Sequence, residues 1–596
     1  MAGILTLHEL IVFGVLLLAL ALFVTGRWRY DVVALLALLV VTMTGLVSGA
    51  DAFSGFGHPA VVTVAAVLVV SRGLQNSGLI DVIARLIGRI GGQPMLQMAT
   101  LVLLVAVFSS FMNNVGALAL LMPVAIQISH KSDIPVSRIL MPLAFASLLG
   151  GMTTLIGTPP NIIIATFRAE NGAEPFAMFD FFPVGAVLMV VGVLFMVLVG
   201  WRLIPQRSGA SAHEQMFAIE DYLTEVQAPK GSKLVGRRIR EINGLADAEV
   251  VVLGIVRGKQ RLPAPSPYEP IFADDVLIVR ADSEDLETLI DTAGLKLVGS
   301  KDLAESDLKS DDVALLEVVV TANSPIEGRS ARDLNLRRRF RINLLAVARQ
   351  GARLRARLGH VRLRIGDVLL IQGVSDTLAE ALATLGLLPL AGRDLRLGQP
   401  RRIALAVSIF GAALMTTVIG LLPVQVSFVA AALAMVMVGL LTLREAYESI
   451  DWPIIMLLGG MIPVGYALET TGAAARIADG LLLIAGQAPP VVTVVIVLVG
   501  VMFLSDVVNN AAAALLMAPI AVSLAQGMGV SADPLLMAVA VGASCAFLTP
   551  IGHQSNTLVM GPGGYRFGDY WRLGLPLEVL IVVIGAPLIL WFWPLS

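Results

Sequence analysis

Apolar positions follow two different rhythms along this chain. Towards both ends they form unbroken runs with almost no charge, such as Val32–Val47, Val187–Gly200 and Ile403–Leu422 with their flanks. Runs of this length match the ~20 residues a helix needs to cross a bilayer. From about Gln206 to Arg402 the runs give way to short alternating stretches, among them "AEVVVLGIVRG" and "DDVLIVRA", set between polar blocks. Period-two alternation predicts strands, and the mixture predicts an α/β soluble insert. The expected organisation is a membrane half (1–206), a linker (207–217), two soluble domains (218–300 and 301–396) and a second membrane half (397–596).

Composition agrees with that division. Of 596 residues, 57% are hydrophobic and 14% charged, against roughly 25% charged in soluble domains. The class is a polytopic α-helical protein of the lipid bilayer. A net charge of −2 gives no reason to expect a nucleic-acid partner. The single cysteine, Cys545, excludes an intrachain disulfide and a multi-cysteine metal site, and reads as a small buried hydrophobe. The apolar helix beginning near His8 lacks a basic leader and a small-residue cleavage site, so it reads as a retained span.

The two membrane halves repeat each other. "SSFMNNVGALALLMPVA" (109–125) and "SDVVNNAAAALLMAPIA" (505–521) align at an offset of 396, pairing Ser109 with Ser505, Asn113 with Asn509, Asn114 with Asn510 and Pro123 with Pro519. "LQNSG" (74–78) aligns with "LETTG" (468–472) at 394, and "TLIGTPPN" (154–161) with "TPIGHQSN" (549–556) at 395. Each half is expected to hold five spans and one hairpin. In the first these are 8–25, 32–49, 59–75, 137–167 and 181–204, with the hairpin at 94–128. In the second they are 402–420, 426–443, 453–469, 534–560 and 572–592, with the hairpin at 489–527. An odd number of crossings inverts the second copy, an arrangement common in secondary transporters. With the insert (207–400) cytoplasmic, Arg85, Arg89, Lys131, Arg138, Arg401, Arg402, Arg444, Arg566 and Arg572 fall inside, as the positive-inside rule requires. Arg168 and Arg476 are the exceptions.

Four uncharged polar side chains inside a greasy segment need a reason. A backbone that stops being helical within lipid must satisfy its polar groups in a protein-lined cavity, and such tips and unwound helices bind ions and substrates. Asparagine offers a carbonyl oxygen to a cation and an NH2 group to an anion. "GTPPN" carries a glycine and two prolines within an apolar pattern, which predicts a broken helix facing the hairpin tip. "GHQSN" (552–556) repeats the design without prolines. The competing reading, that these groups only glue helices together, is weakened by their recurrence in both halves. Asp506 is an acid at the second tip where the first has Ser110, a candidate for ion or proton coupling or for a structural cap. His553 reads as a titrating group or as a fixed hydrogen-bond donor.

The spacing resembles that of the divalent anion/sodium symporter family, within the wider ion transporter superfamily. Its tips read Ser-Asn-Thr, with a hydroxyl residue four positions before the triplet and a proline nine after the asparagine. Ser109, Asn114 and Pro123, and Ser505, Asn510 and Pro519, keep those spacings. Asn113 and Asn509 stand where the family has serine, and Val115 and Ala511 where it has threonine. In the family those hydroxyls help to hold carboxylates. The resemblance implies an elevator transporter, usually a homodimer, with sodium beside each tip and the anion between the tips. It implies one cation site at Ser109, Asn113, Asn114, Thr154 and Gly157, and another at Ser505, Asn510, Thr549 and Gly552, beside which Asp506, where this chain departs from the family, is a further cation-binding candidate. The anion would meet Asn113, Asn114, Val115, Asn161, Asn509, Asn510, Ala511, His553 and Asn556.

The insert is also duplicated, "YLTEVQAPKGSKLVGRRIREI" (222–242) against "LLEVVVTANSPIEGRSARDL" (315–334), and "FADDVLIVRADSEDLETLI" (272–290) against "RIGDVLLIQGVSDTLAEAL" (364–382). It resembles tandem RCK C-terminal (TrkA-C) domains, which implies a cytoplasmic unit that dimerises and binds a small regulatory ligand. The basic run at 337–341 reads as a solvated face.

The expected function is symport of a small divalent anion, such as sulfate or a dicarboxylate, coupled to Na+ or H+ across the inner membrane. No cofactor, transition metal or catalytic constellation is expected. The alternatives are a cation/proton antiporter or arsenite-type permease with Asp506 as the titrating group, and a membrane sensor with vestigial transport.

Overall fold

A computed structural model describes residues 6–25, 28–78, 94–132, 134–206, 223–242, 250–258, 260–263, 265–266, 268–280, 283–298, 313–321, 324–349, 352–354, 360–390, 400–485 and 489–595. The linker 207–217 and the inner-face residues Arg85 and Arg89 lie outside them. The chain divides into two compact units, 1–207 with 394–596, and 208–393.

In the first unit both halves run through the same elements. The first half has helices Leu7–Thr25, Tyr30–Met43 and Pro59–Asn76, then the hairpin Pro94–Ser109 and Asn114–Ser132. A helix broken into Ser137–Gly151 and Pro159–Glu170 follows, and then Phe182–Leu198. The second half has Pro400–Val418, Val424–Met437 and Trp452–Thr470, the hairpin Pro490–Ser505 and Asn510–Met528, the broken pair Asp533–Ala543 and Gln554–Met560, and Tyr570–Phe592. The breaks fall in the two stretches read as single spans, 137–167 and 534–560. The helices Leu443–Glu448 and Ala473–Ala485 were not anticipated. Five helices are each long and apolar enough to cross a membrane alone, among the described residues.

Packing between the halves is reciprocal. Tyr30–Met43 packs on Trp452–Thr470, and its counterpart Val424–Met437 packs on Pro59–Asn76. Asn510–Met528 packs on Pro159–Glu170, and Asn114–Ser132 on Gln554–Met560. Each half therefore completes the other. The Tyr565 hydroxyl shows how tightly. It accepts from the Met141 N–H (2.8 Å) and donates to the Ser137 carbonyl, standing inside a helical ladder that Pro142 also interrupts.

The two arginines that break the positive-inside pattern are both neutralised. Arg168 makes two hydrogen bonds to Asp533 (2.7 and 2.8 Å), and Arg476 meets Glu9 at 2.5 Å.

The second unit holds two five-stranded antiparallel sheets. β1 (Leu223–Gln227), β2 (Val251–Arg257), β3 (Gln260–Pro263), β4 (Val276–Arg280) and β5 (Lys296–Val298) are ordered β3-β2-β4-β1-β5. β6 (Val313–Val320), β7 (Ile342–Arg349), β8 (Ala352–Arg353), β9 (Val368–Val374) and β10 (Leu387–Pro389) are ordered β10-β6-β9-β7-β8, the same arrangement read from the other edge. Even the register irregularity recurs, at Val252/Gly254 and at Leu344/Ala346. Val226, Ile255, Leu277 and Leu289 lie in one core, and Val318, Val347, Leu369 and Leu382 in the other. In each, the last arginine of a strand grips a buried aspartate. Arg257 bonds Asp275 (3.0 Å), and Arg349 bonds Asp367 (2.7 and 2.8 Å). Hydrogen bonding to these carboxylates holds both guanidinium groups above the ordinary arginine pKa.

Candidate functional site

The two asparagines of each tip do different work. The first caps the second leg of the hairpin. Asn113 Oδ1 accepts from the Val115 N–H (2.9 Å), and Asn509 Oδ1 from the Ala511 N–H (3.0 Å), which satisfies a backbone donor left free by the helix start. The second asparagine is buried against the motif serine. The Ser109 hydroxyl and the Asn114 amide lie 2.7 Å apart. In the second tip Ser505 reaches Asn510 Oδ1 (3.2 Å) and donates to the Ala543 carbonyl (2.6 Å).

Each break is tied to its own tip and braced from within. The Thr154 hydroxyl donates to the Ser110 carbonyl, and the Thr549 hydroxyl to the Asp506 carbonyl at 2.5 Å. The Asn161 NH2 donates to the carbonyls of Thr154 (2.8 Å) and Gly151 (3.3 Å). The Asn556 NH2 donates to those of Ala546 (2.7 Å) and Thr549 (3.1 Å). These amides satisfy carbonyls that an unwound helix would otherwise leave unpaired inside the bilayer. Gly157 and Gly552 let the chain turn tightly here, because a Cβ would sit 2.5 Å from the Gly151 oxygen and 2.7 Å from the Ser505 oxygen.

Contacts cross between the halves at the centre, where the Ser147 and Ser555 hydroxyls lie 3.2 Å apart and His553 meets Asn114. His553 Nδ1 accepts from the Ser555 N–H (3.0 Å), so its proton resides on Nε2. Nε2 lies 3.4 Å from the Asn114 amide, which must present its oxygen. With the amide in that orientation, its NH2 donates to Ser109 Oγ (2.7 Å), the Ser147 carbonyl (3.2 Å) and the Gly157 carbonyl (3.3 Å). Histidine protonation and amide orientation thus fix each other, and His553 stands as a directed donor.

Both tips and both breaks line one cavity of about 690 Å³, open mouth included. Its polar wall is Asn113, Asn114, Gly157, Thr158, Asn509, Asn510, His553 and Gln554, beside Val115 and Ala511. Val64, Leu68, Ile162 and Ile454 supply apolar wall, and among the described residues no Lys, Arg, Asp or Glu lines it. Of the expected site residues, Ser109, Thr154, Asn161, Ser505, Thr549, Gly552 and Asn556 sit behind this wall as ties and braces. Asp506 also turns away. Its Oδ1 accepts from the Leu548 N–H (2.8 Å), and its carboxyl neighbours that of Glu578 in the last helix, with Asp506 Oδ2 and Glu578 Oε1 both buried and without a donor. Both acids are buried. Among the described residues no group of three or more His, Cys, Asp or Glu converges as a metal site. Thr158, Gln554 and Glu578 were not singled out from sequence. A threonine at a helix start followed by two prolines was the available signal for Thr158.

Residues 20–542 match the citrate transporter family, CitMHS. The chain belongs to this family. Among CitMHS relatives, an uncharacterized transporter of Synechocystis is 31% identical over 585 residues, covering 97% of this chain and 95% of the relative. The uncharacterized transporter YfbS of Escherichia coli is 31% identical over 616 residues, covering 98% and 99%. Sodium/sulfate cotransporter 1 of Chlamydomonas reinhardtii is 26% identical over 360 residues, covering 56% of this chain and 40% of its own. This CitMHS chain is thus a multi-pass membrane transporter and not an enzyme.

Proposed function

We propose that the protein is a secondary active transporter that carries a small divalent anion, with sulfate as the leading candidate, by symport with sodium. The observation that carries this reading is the shared cavity, whose wall joins Asn113, Asn114, Asn509 and Asn510 from two tips far apart in sequence. Its polar groups are neutral, so they solvate an anion without holding it as tightly as an arginine would. Co-bound cations then supply the balancing charge. Sodium would bind beside each tip, at Ser109, Thr154 and Gly157 once the Asn114 amide turns its oxygen towards them, and at Ser505, Asn510, Thr549 and Gly552. The halves act as inverted repeats. Hairpins and broken helices move as an elevator against the remaining helices, in a homodimer. The insert is a cytoplasmic pair of TrkA-C-like domains that responds to a small ligand. A Chlamydomonas relative named for sodium/sulfate cotransport supports the choice of substrate.

The buried, neighbouring Asp506 and Glu578 carboxyls favour one second reading. Two buried carboxyl groups side by side resist ionising together, so proton coupling is the alternative to the second sodium. Purified protein in liposomes separates the two. Labelled sulfate uptake driven by a sodium gradient supports the first. Uptake that follows a proton gradient and ignores sodium supports the second. No uptake of sulfate, selenate or succinate under either gradient removes the anion-carrier reading.

A further inference from the structure

The two domains of the insert correspond at an offset of 92, and their surfaces differ most at one short ribbon. In the first domain residues 236–239 run against 269–271. The Gly236 N–H donates to the Ile271 carbonyl (2.8 Å), the Ile271 N–H to the Arg237 carbonyl (2.9 Å) and the Ile239 N–H to the Glu269 carbonyl (3.1 Å). The second domain builds the same ribbon from 328–330 and 362–363. In the first, Leu234, Ile239 and Ile271 turn into the core, while Lys230, Lys233, Arg237, Arg238 and Arg240 are exposed. None of these five meets a carboxylate in an ion pair among the described residues, and Glu269, the acid within the ribbon, is taken by Arg257 (3.2 Å). Glu241 and Asp274 border the ribbon, which leaves it net positive. Tyr268 and Phe272 stand out from it, 51% and 49% exposed. The Arg238 and Arg240 guanidinium carbons lie 6.0 and 5.0 Å from the centre of the Tyr268 ring, so cations and aromatic share one face.

The second domain lacks most of this. Ala322, Pro325 and Ser330 replace Lys230, Lys233 and Arg238, and His360 and Arg364 replace Tyr268 and Phe272. Arg332 remains, 3.4 Å from His360. The fold does not require the difference, because the ties beneath the ribbon are the same. The Ser232 hydroxyl donates to the Ala293 carbonyl (2.7 Å), as Ser324 does to Leu385 (2.6 Å). Unpaired cations set among exposed rings suit an anionic lipid surface. Charge draws the face towards phosphates, and the rings enter the headgroup boundary. Residues 207–222 join this domain to the membrane unit. A chain of that length spans at most ~55 Å, so a bilayer is always within its reach. We propose that the ribbon of 236–240 and 268–272 docks the first insert domain on an anionic lipid surface. Arg237, Arg238 and Arg240 meet lipid phosphates, and Tyr268 and Phe272 lie among the headgroups. Only the choice of leaflet rests on the cytoplasmic placement of the insert.

The full-length protein in nanodiscs tests it. With Cys545 replaced by alanine, Ser266→Cys carries a fluorophore beside Tyr268, whose N–H meets Ser266 (3.3 Å). The discs hold brominated phosphatidylcholine, alone or in equal parts with brominated phosphatidylglycerol. Quenching by bromine is expected to be at least ~threefold greater in the mixed discs and to fade in molar salt. Arg237→Gln, Arg238→Gln and Arg240→Gln together are expected to abolish the difference between lipids. Tyr268→Ser with Phe272→Ser is expected to reduce it by about half or more. All five side chains are exposed, so an unchanged unfolding temperature verifies that the variants fold. A label at Arg362→Cys, on the ribbon of the second domain, is expected to be quenched less than about half as much. Equal quenching in both lipids, none in either, or equal quenching at the two ribbons overturns the proposal. So does a Ser266→Cys label that is shielded from aqueous iodide without being quenched by bromine, because a protein surface or a small ligand then covers the ribbon. Both faces of a nanodisc carry the same lipid, so an insert on the other side of the cell membrane would leave these results unchanged.

Discussion

The membrane unit and the insert each contain two stretches alike in sequence and element order, yet the likeness survives in different places. In the insert it extends to a buried ion pair. Arg257–Asp275 and Arg349–Asp367 are the same ion pair, 92 residues apart, and the register shifts match as well. In the membrane unit the braces are kept and the cavity wall is not. Asn161 and Asn556 hold the same carbonyls, and Thr154 and Thr549 tie the same corners. At the cavity wall, however, Thr158 is the counterpart of His553 and Pro159 that of Gln554. Groups that only support a fold can be identical in two copies. Groups that bind an asymmetric ligand have reason to differ.

Substitutions at the tips should break this comparison most severely. Asn114→Ala and Asn510→Ala are each expected to reduce uptake by at least ~100-fold in liposomes, since each removes polar contacts at the tip–break junction. Wild-type uptake from either variant would return both asparagines to the role of helix glue. In the insert, Arg349→Ala leaves Asp367, 1% exposed, without its cation. Breaking such a pair costs about 3–5 kcal/mol. Denaturant unfolding followed by a probe in the insert should report it, and Arg257→Ala should match it if the copies are equivalent. Tyr565→Phe unpairs Met141 N–H and the Ser137 carbonyl, at about 1–3 kcal/mol, read as a lower Tm of the detergent-purified protein.

A smaller effect sharpens the contrast. In the second insert domain, hydrogen bonds from the Ser330 side chain and backbone hold the Asp333 carboxyl below its ordinary value of 3.8. A depressed carboxyl contributes stability that is present above pH 3.8 and lost as the pH falls through its lowered folded value. Ser330→Ala should therefore lessen the loss of stability in that acidic window, measured by circular dichroism.

Much of this was legible in the sequence because repetition turns weak patterns into strong ones. One "NN" in an apolar run is ambiguous, whereas two at a fixed offset, each followed by a Gly-containing break, point to tips and broken helices. The strands and the duplication of the insert were legible from period-two alternation. The partner of each polar atom was not. Asn161 and Asn556 were expected to touch the anion and instead brace carbonyls of their own breaks, a choice that depends on where an unwound helix leaves its carbonyls. Asp506 was read as a coupling group or a structural cap, and its neighbour Glu578 lies 72 residues on, in an apolar span that gave no sign of which acid it would face. The helix Ala473–Ala485 was overlooked because it is too short and amphipathic to read as a span.

Gly150 bears on how the cavity travels. A Cβ there would collide with the Ala106 carbonyl, so the first leg of the hairpin and the helix before the break meet main chain to main chain. No layer of flexible side chains lies between them to act as a lubricant. Shear along that seam is therefore stiff, and the tip and the break form a single cartridge. Whatever displacement carries the solute across must occur at the cartridge's outer boundary, which is where inhibitors of movement, as distinct from inhibitors of binding, would have to wedge.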